Sequence, residues 1–415
     1  MVPRNLERLC MSDPHATAAP ARIPVFEFTA LMALLAATVA FSIDAMLPAL
    51  PEIAAKLSPE AINRAQLVLT FFLLGIGVGT FVAGPLSDAI GRKRTIVVGV
   101  SIFVIGAVIG AQAQSLEVLL AARFVQGLGA AAPRIVPMAL VRDMYSGREM
   151  AKVTAFIMMV FILVPALAPS AGQLIIGFAG WRGVFYAFIL FALIGLAWLS
   201  LRQPETLTPE RRRPLRAGLL WAGTKEVLGD RDVRLYILTM TLGFGQMFAL
   251  LSSSQQLFAA FGAVESFPKW FALMAILAGS GTAFNALFVM RLGMRRMVRG
   301  TYMMQVISSG AMLALILGGA VTPPDGFIFL FAWTVTVFMM AGITFGNLNA
   351  LAMQRMGHLA GLAASVVSAF STMGAVLIAA PVGLMFDGTA LPIVVATFTC
   401  SSLAVILMGL VRENA

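Results

Sequence analysis

Twelve apolar runs, each of about twenty residues or more, constrain this chain more than any other feature, because about twenty consecutive apolar residues span a bilayer as a helix. They fall near 25–50, 62–83, 95–114, 116–141, 151–176 and 183–201, then near 233–260, 268–290, 297–320, 327–350, 359–385 and 390–411. Between the two sets of six lies a polar stretch containing RQPETLTPERRRPLR (202–216). Backbone polar groups in hydrocarbon must be satisfied internally, so runs of this length are expected to be helical. Composition agrees: 60% of the 415 residues are apolar and 12% are charged, against about 25% charged in soluble domains. These figures exclude an ordinary soluble enzyme, a disordered chain and a secreted disulfide scaffold. The expected fold is an all-α integral membrane protein, with twelve transmembrane helices in two pseudo-symmetric six-helix bundles. The expected division is a tail at 1–24, a first bundle at 25–201, a linker at 202–232, a second bundle at 233–411 and a short tail at 412–415.

Charge distribution orients the chain. Of 29 Lys and Arg, 23 lie in the N-terminal tail, the even-numbered loops and the C-terminus, and four lie in the opposite loops (Lys56, Arg64, Arg182 and Lys269). The remaining two, Arg123 and Arg134, sit inside a span. By the positive-inside rule both termini are expected in the cytoplasm, as in a bacterial inner or plasma membrane. The net charge of +10 is thus an orientation signal, and no nucleic acid partner is expected. Residues 1–24 lack an apolar h-region, so no signal peptide is expected; Met11 offers an alternative start. Cys10 and Cys400 are too few and too distant for a disulfide framework or metal site. His15 and His358 both lie outside the apolar runs.

The second-to-third connection reads AIGRKRTI (89–96) and the eighth-to-ninth reads RLGMRRMV (291–298). A glycine followed by basic residues recurs at the same point of each half, which suggests an internal repeat. The first of these loops, GPLSDAIGRKRTI (84–96), resembles the signature of the major facilitator superfamily between its second and third helices. Gly84, Leu86, Asp88, Gly91, Arg92 and Lys93 carry the match. Small glycines suit a tight turn, and a carboxylate is favoured near basic residues or a helix N-terminus.

More specific blocks resemble the bicyclomycin/chloramphenicol-resistance branch of the drug:proton antiporters. They are IDAMLPALPEIAAKL (43–57), RFVQGLGAAA (123–132), VRDMY (141–145), VPALAPSAGQL (164–174) and GWRGVF (180–185). The second half matches in topology and in weak fragments. The resemblance implies proton-coupled efflux of small hydrophobic or amphiphilic compounds by alternating access, from a monomer in the bilayer. It also implies a gating role for Gly84, Asp88, Gly91, Arg92 and Asp143, and an antiport role for the block around Pro165, Pro169 and Gly172. No cofactor is expected, because no phosphate-binding loop is present and the proton gradient would supply the energy. A metabolite exporter or a proton-coupled importer on the same fold is the alternative.

Ionisable residues inside a span are costly, and each is a functional candidate. Asp44 should lie about 9 Å and Arg123 about 10 Å inside the membrane from the same side. Equal depth predicts a pair, with Asp44 as the proton site and Arg123 as its partner; a purely structural ion pair is the other reading. Burial favours a neutral carboxyl and a nearby guanidinium favours an ionised one, so an opening cavity can switch the balance. Arg134 follows Arg123 by three turns, about 20° from the same face and about 16 Å deeper. It departs from the family's usual small or apolar residue there. The functional readings are an anchor for an anionic or zwitterionic substrate and a partner for Asp44 in one conformational state; the other is a side chain that snorkels to the cytoplasmic surface or binds helix-end carbonyls.

In the second half the polar candidates for substrate contact are Gln246, Asn285 and Asn349, among span residues that include Gln255, Gln256, Gln305 and Asn347. Gln246 stands where the repeat offset carries Asp44. The 25 methionines and Phe72, Phe244 and Phe248 suit an adaptable apolar pocket, or ordinary packing. A membrane-embedded enzyme would need an acid/base or metal constellation that one carboxylate and two arginines do not provide.

Overall fold

A computed structural model describes residues 23–212 and 214–411. Among them every regular element is helical: α1 (Val25–Asp44), α2 (Leu50–Leu57), α3 (Leu67–Ile90), α4 (Arg92–Ala111), α5 (Leu116–Met144), α6 (Gly147–Arg202), α7 (Ala217–Gly229), α8 (Arg231–Ala260), α9 (Phe267–Leu292), α10 (Met294–Leu317), α11 (Phe327–Arg355), α12 (Ala360–Leu384) and α13 (Leu391–Leu410). Except for Ile23 and Pro24, the terminal tails expected at 1–24 and 412–415 lie outside the described residues.

Eleven helical stretches are long and apolar enough to cross a membrane. One of them, α6, has 56 residues, about 84 Å at 1.5 Å per residue, far more than a bilayer needs. It breaks at Gly180 (φ 64°, ψ −176°), a conformation that favours glycine. Its two arms are the fifth and sixth spans, so the twelve expected crossings are present.

The sequence repeat has a backbone counterpart. Gly91 (φ 107°, ψ 157°) separates α3 from α4, and Gly293 (φ 80°, ψ 148°) separates α9 from α10. The end of the molecule that carries these two glycines is called the basic end, and the opposite end the far end.

Two elements depart from the sequence reading. The run at 25–50 is not one helix: α1 stops at Asp44, and a 3-10 turn over Leu47–Ala49 leads into α2. Pro48 and Pro51 lack the N–H groups that a continuous helix would use there. The expected linker at 202–232 contains a helix, α7, which buries Gly223, Thr224 and Val227 at helical spacing.

Packing within the first half is tight. α5 is wedged between α3 and α4, and α1 packs along α6. α1 and α5 run antiparallel, with Phe28 and Tyr145 meeting near the basic end (ring centroids 5.2 Å apart) and Ser42 beside Arg123 toward the far end. The halves meet along α3 and α12 and along α6 and α9. Phe81 and Phe370 cross edge to face at 6.3 Å between α3 and α12.

At the far end the closure is polar and uncharged. Asn63 donates to the carbonyls of Phe386 (2.6 Å) and Leu384 (3.2 Å). Gln66 bonds Gln256 and accepts from the Ser253 hydroxyl.

Candidate functional site

Asp44 is the last residue of α1 and is only 6% exposed. Among the described residues no hydrogen bond or ion pair reaches its carboxyl. Arg123 is fully buried on α5 and lies at the depth predicted for it: its Nη2 donates to the carbonyl of Ser42, two residues before Asp44. The expected Asp44–Arg123 ion pair is nevertheless not made. Arg123 instead donates to Gln126 Oε1 (2.6 Å), the Ser42 carbonyl (3.0 Å) and the Val68 carbonyl (3.3 Å). Its guanidinium also lies 4.0 Å from the Phe72 ring centre, a cation–π arrangement. Three neutral acceptors and an aromatic face thus replace a carboxylate. Helix geometry supplies the reason: Asp44 follows Ser42 by two residues, about 200° around α1, so it does not share the face that meets Arg123.

The turn after Asp44 meets the proline block. Pro169 and Gly172 are buried on the first arm of α6, with Pro165 one turn earlier. A Cβ on Gly172 would collide with the carbonyl of Ala45, the residue after Asp44. Small-residue packing of this kind lets helix backbones touch in membranes. The sequence signals at 43–57 and 164–174 therefore form one contact, through Ala45 and Gly172.

Arg134 is partly exposed in the middle of α5, between Pro133 and Pro137. Among the described residues it makes no hydrogen bond or ion pair.

The second-half candidates do not converge on one point. Gln246 is fully buried, accepts a bond from Ser401 of α13 at 2.9 Å, and leaves its Nε2 without a partner. Asn285 accepts from Asn347 Nδ2 at 2.7 Å, which ties α9 to α11. Asn349 is partly exposed, with a buried and unbonded Oδ1. Close by, Phe244 lies 4.0 Å from Phe345 and stacks on Phe248 at 5.4 Å.

At the basic end the loop residues assemble closely. Arg92 bridges Asp88 (2.5 Å) and Asp143 (3.0 Å) and donates to Ser87 (2.7 Å). Gly91 leaves room for a carboxylate that sequence reasoning missed, that of Glu205. Glu205 accepts from the backbone N–H of Arg92 (2.8 Å) and Lys93 (3.2 Å), capping the positive end of α4. The exposed signal was the PET triplet after the sixth span, but nothing local marks its partner 113 positions away. Gly84 faces the side chain of Ser365 on α12.

The second half closes differently. Asp230 caps α8 through the N–H groups of Asp232 and Val233, and Arg355 grips it through two nitrogens at 2.9–3.0 Å. Burial pushes the Asp230 carboxyl up, but Arg355 and the two N–H groups outweigh it and hold it below the usual carboxylate range.

Residues 32–379 match the family model of the Major Facilitator Superfamily. An uncharacterized MFS-type transporter of Bacillus subtilis, YdgK, is 29% identical over 394 residues, covering 92% of this chain and 95% of the relative. A bicyclomycin resistance protein homolog of Haemophilus influenzae is 30% identical over 401 residues, with the same shares of the two chains covered. The xylose transporter XylE from E. coli, in a partially occluded inward open conformation, shares the fold at 13% identity. The TM-score is 0.75, over 94% of this chain and 98% of that one. With its twelve crossings and the Asp88–Arg92–Asp143 cluster in place, the chain belongs to the Major Facilitator Superfamily and is a multi-pass membrane transporter, not an enzyme.

Proposed function

We propose that this protein is a proton-driven exporter of small amphiphilic compounds, working as a monomer in the bacterial inner membrane with its basic end in the cytoplasm. The observation that carries the reading is Asp44: a carboxyl buried inside a span, bonded to none of the described residues, at the end of α1. Such a group is costly to keep in a membrane without a task. Arg123 lies within about a turn of it but is held by neutral acceptors, so a small movement of α1 changes how strongly the guanidinium acts on the carboxyl. Gly172 presses on Ala45, so a rocking of α6 against α1 is felt at Asp44 directly. That linkage gives the proline block its role in antiport.

The export direction is supported by the relative named for bicyclomycin resistance, and the orientation by the 23-to-four division of basic residues. The far-end hydrogen bonds of Asn63 and Gln66 make one gate. The gating cluster of Asp88, Arg92, Asp143 and Glu205 lies wholly within the first half and holds that bundle together at the basic end as it moves. Alternating access then follows from rocking two bundles about a central site. The substrate site is drawn from Arg134 and Asn349, with Gln246 and Asn285 supporting it through α13 and α11.

The test is transport in proteoliposomes under an imposed pH gradient, with bicyclomycin and a small panel of amphiphiles as probes. Gradient-driven uptake by wild type that disappears in Asp44→Asn is expected. Wild-type rates in that variant, or transport indifferent to the gradient, would overturn the assignment.

A further inference from the structure

α5 and α11 hold the same place in the two halves, as the fourth and tenth spans, and each has 29 residues. Counted from their first residues, Arg134 and Phe345 occupy the same position, the nineteenth, at equivalent depth. Equivalent positions therefore carry opposite chemistry. On α5 there is a guanidinium, partly exposed in mid-span and bonded to no described residue. On α11 there is an aromatic ring that continues into Phe244 and Phe248, a shelf of three rings.

Space is left beside that shelf. A Cβ built on Gly346, the next residue, would meet nothing within 4 Å. Asn349, one turn on, keeps an unbonded amide oxygen. The halves touch along α3/α12 and α6/α9, and α5 and α11 belong to neither seam.

The balance of charge inside the membrane fixes the sign of what fits. Arg123 has three acceptors and an aromatic face, whereas Arg134 has none. Asp44, the one acidic side chain deep within the described spans, lies toward the far end near the level of Arg123 and bonds neither arginine. An unpartnered guanidinium in a low-dielectric gap is strongly favoured by an anion that neutralises it. Its planar fork matches a carboxylate or sulfonate. The three rings at the equivalent position of the other half call for an apolar, preferably aromatic, body.

We propose that Arg134 and the Phe345–Phe244–Phe248 shelf form a binding site for lipophilic organic anions, an aromatic ring bearing a carboxylate or sulfonate being the class that suits both walls. This rests on the proposed transport reading for the site's location between the bundles, but not on its proton coupling.

The test uses the full-length protein in nanodiscs and three probes that share one ring: 2-naphthoate, 2-naphthylmethanol and 2-naphthylmethylammonium. Affinity is measured by equilibrium dialysis at pH 7.5. Wild type is expected to bind the anion at least about tenfold more tightly than the cation. Arg134→Gln should lose about that factor for 2-naphthoate while keeping its affinity for 2-naphthylmethanol, which also shows that the variant is folded. Arg134→Lys should retain part of the preference, and Phe345→Ala should weaken all three probes together.

Equal or tighter binding of the ammonium overturns the proposal, as does an unchanged anion preference in Arg134→Gln or no binding of 2-naphthoate at millimolar concentration. The two readings separate cleanly. A protein that binds 2-naphthoate through Arg134 but ignores a pH gradient keeps this inference and loses proton coupling. A gradient-driven transporter that selects the ammonium does the reverse.

Discussion

The two halves of the molecule share a helical plan and differ in what they place in the middle of the membrane. In the first, α1 and α5 carry Asp44, Arg123 and Arg134; in the second, the comparable depth holds Gln246, Asn285, Asn347, Asn349 and a stack of phenylalanines. The closures at the basic end differ as well. The first half uses a loop cluster around Arg92 and the Glu205 cap, and the second uses the Asp230–Arg355 grip between α8 and α11. A repeat thus preserves the fold while assigning different tasks to its copies. Among the described residues mid-membrane charge, which can report a proton, is confined to one bundle. Amides and rings, which shape a pocket without titrating, fill the other.

That division is most directly broken at Asp44. Asp44→Asn should reduce gradient-driven transport in proteoliposomes to the level of empty vesicles, while thermal unfolding stays close to wild type because the carboxyl has no bonded partner among the described residues to lose. The counterpart change, Gln246→Ala, should cost only a fraction of the rate. Equal losses would mean that coupling is shared between halves.

Arg123→Ala should act on stability more than on specificity. It removes the donor to Ser42, Gln126 and Val68 and leaves Phe72 facing a void. A loss of about 2–3 kcal/mol is expected, read as a lower unfolding midpoint in detergent. Arg123→Lys should recover little of it, since one ammonium lacks the fork that serves three acceptors.

Gly172→Ala sharpens the comparison from another side, because its Cβ has no room beside the Ala45 carbonyl. Transport should fall several-fold while Asn285→Ala, a change in the second half, falls less; Gly172→Leu should fall furthest. Rates for both alanine variants close to wild type would remove α6 from the coupling path.

The smallest effect is expected at Asp230→Asn, which weakens an exposed-edge grip worth about 1 kcal/mol. Its sign with pH is defined. The Asp230 carboxyl is held below its ordinary value, so its stabilisation is present above that ordinary value and is lost as pH falls through the depressed one. The difference in unfolding midpoint between variant and wild type should therefore be widest near neutrality and shrink in acid.

Much of this was legible along the chain. Bilayer thickness turns apolar run length into a count of crossings, and the echo of Gly91 in Gly293 survives as two matching backbone conformations. Depth was legible too: Arg123 lies beside Ser42, as helical rise predicts. What one-dimensional reasoning could not supply was direction. Equal depth suggests that Asp44 and Arg123 pair, yet Asp44 stands about 200° around α1 from Ser42, the residue that meets Arg123, and Arg123 finds carbonyls and Gln126 instead. Gln246, aligned with Asp44 by offset, turns toward Ser401 on α13.

The sequence by itself determined that the chain crosses the membrane twelve times as two related halves, because in hydrocarbon the backbone has to bond to itself and apolar length is then enough to define each crossing. Tertiary structure decided which charges have partners. That Glu205 caps α4, that Gly172 presses on Ala45 and that Arg134 keeps an open guanidinium all depend on helices far apart in sequence being brought within a few ångströms, where hydrogen-bond and steric energies change over distances much shorter than any spacing rule resolves.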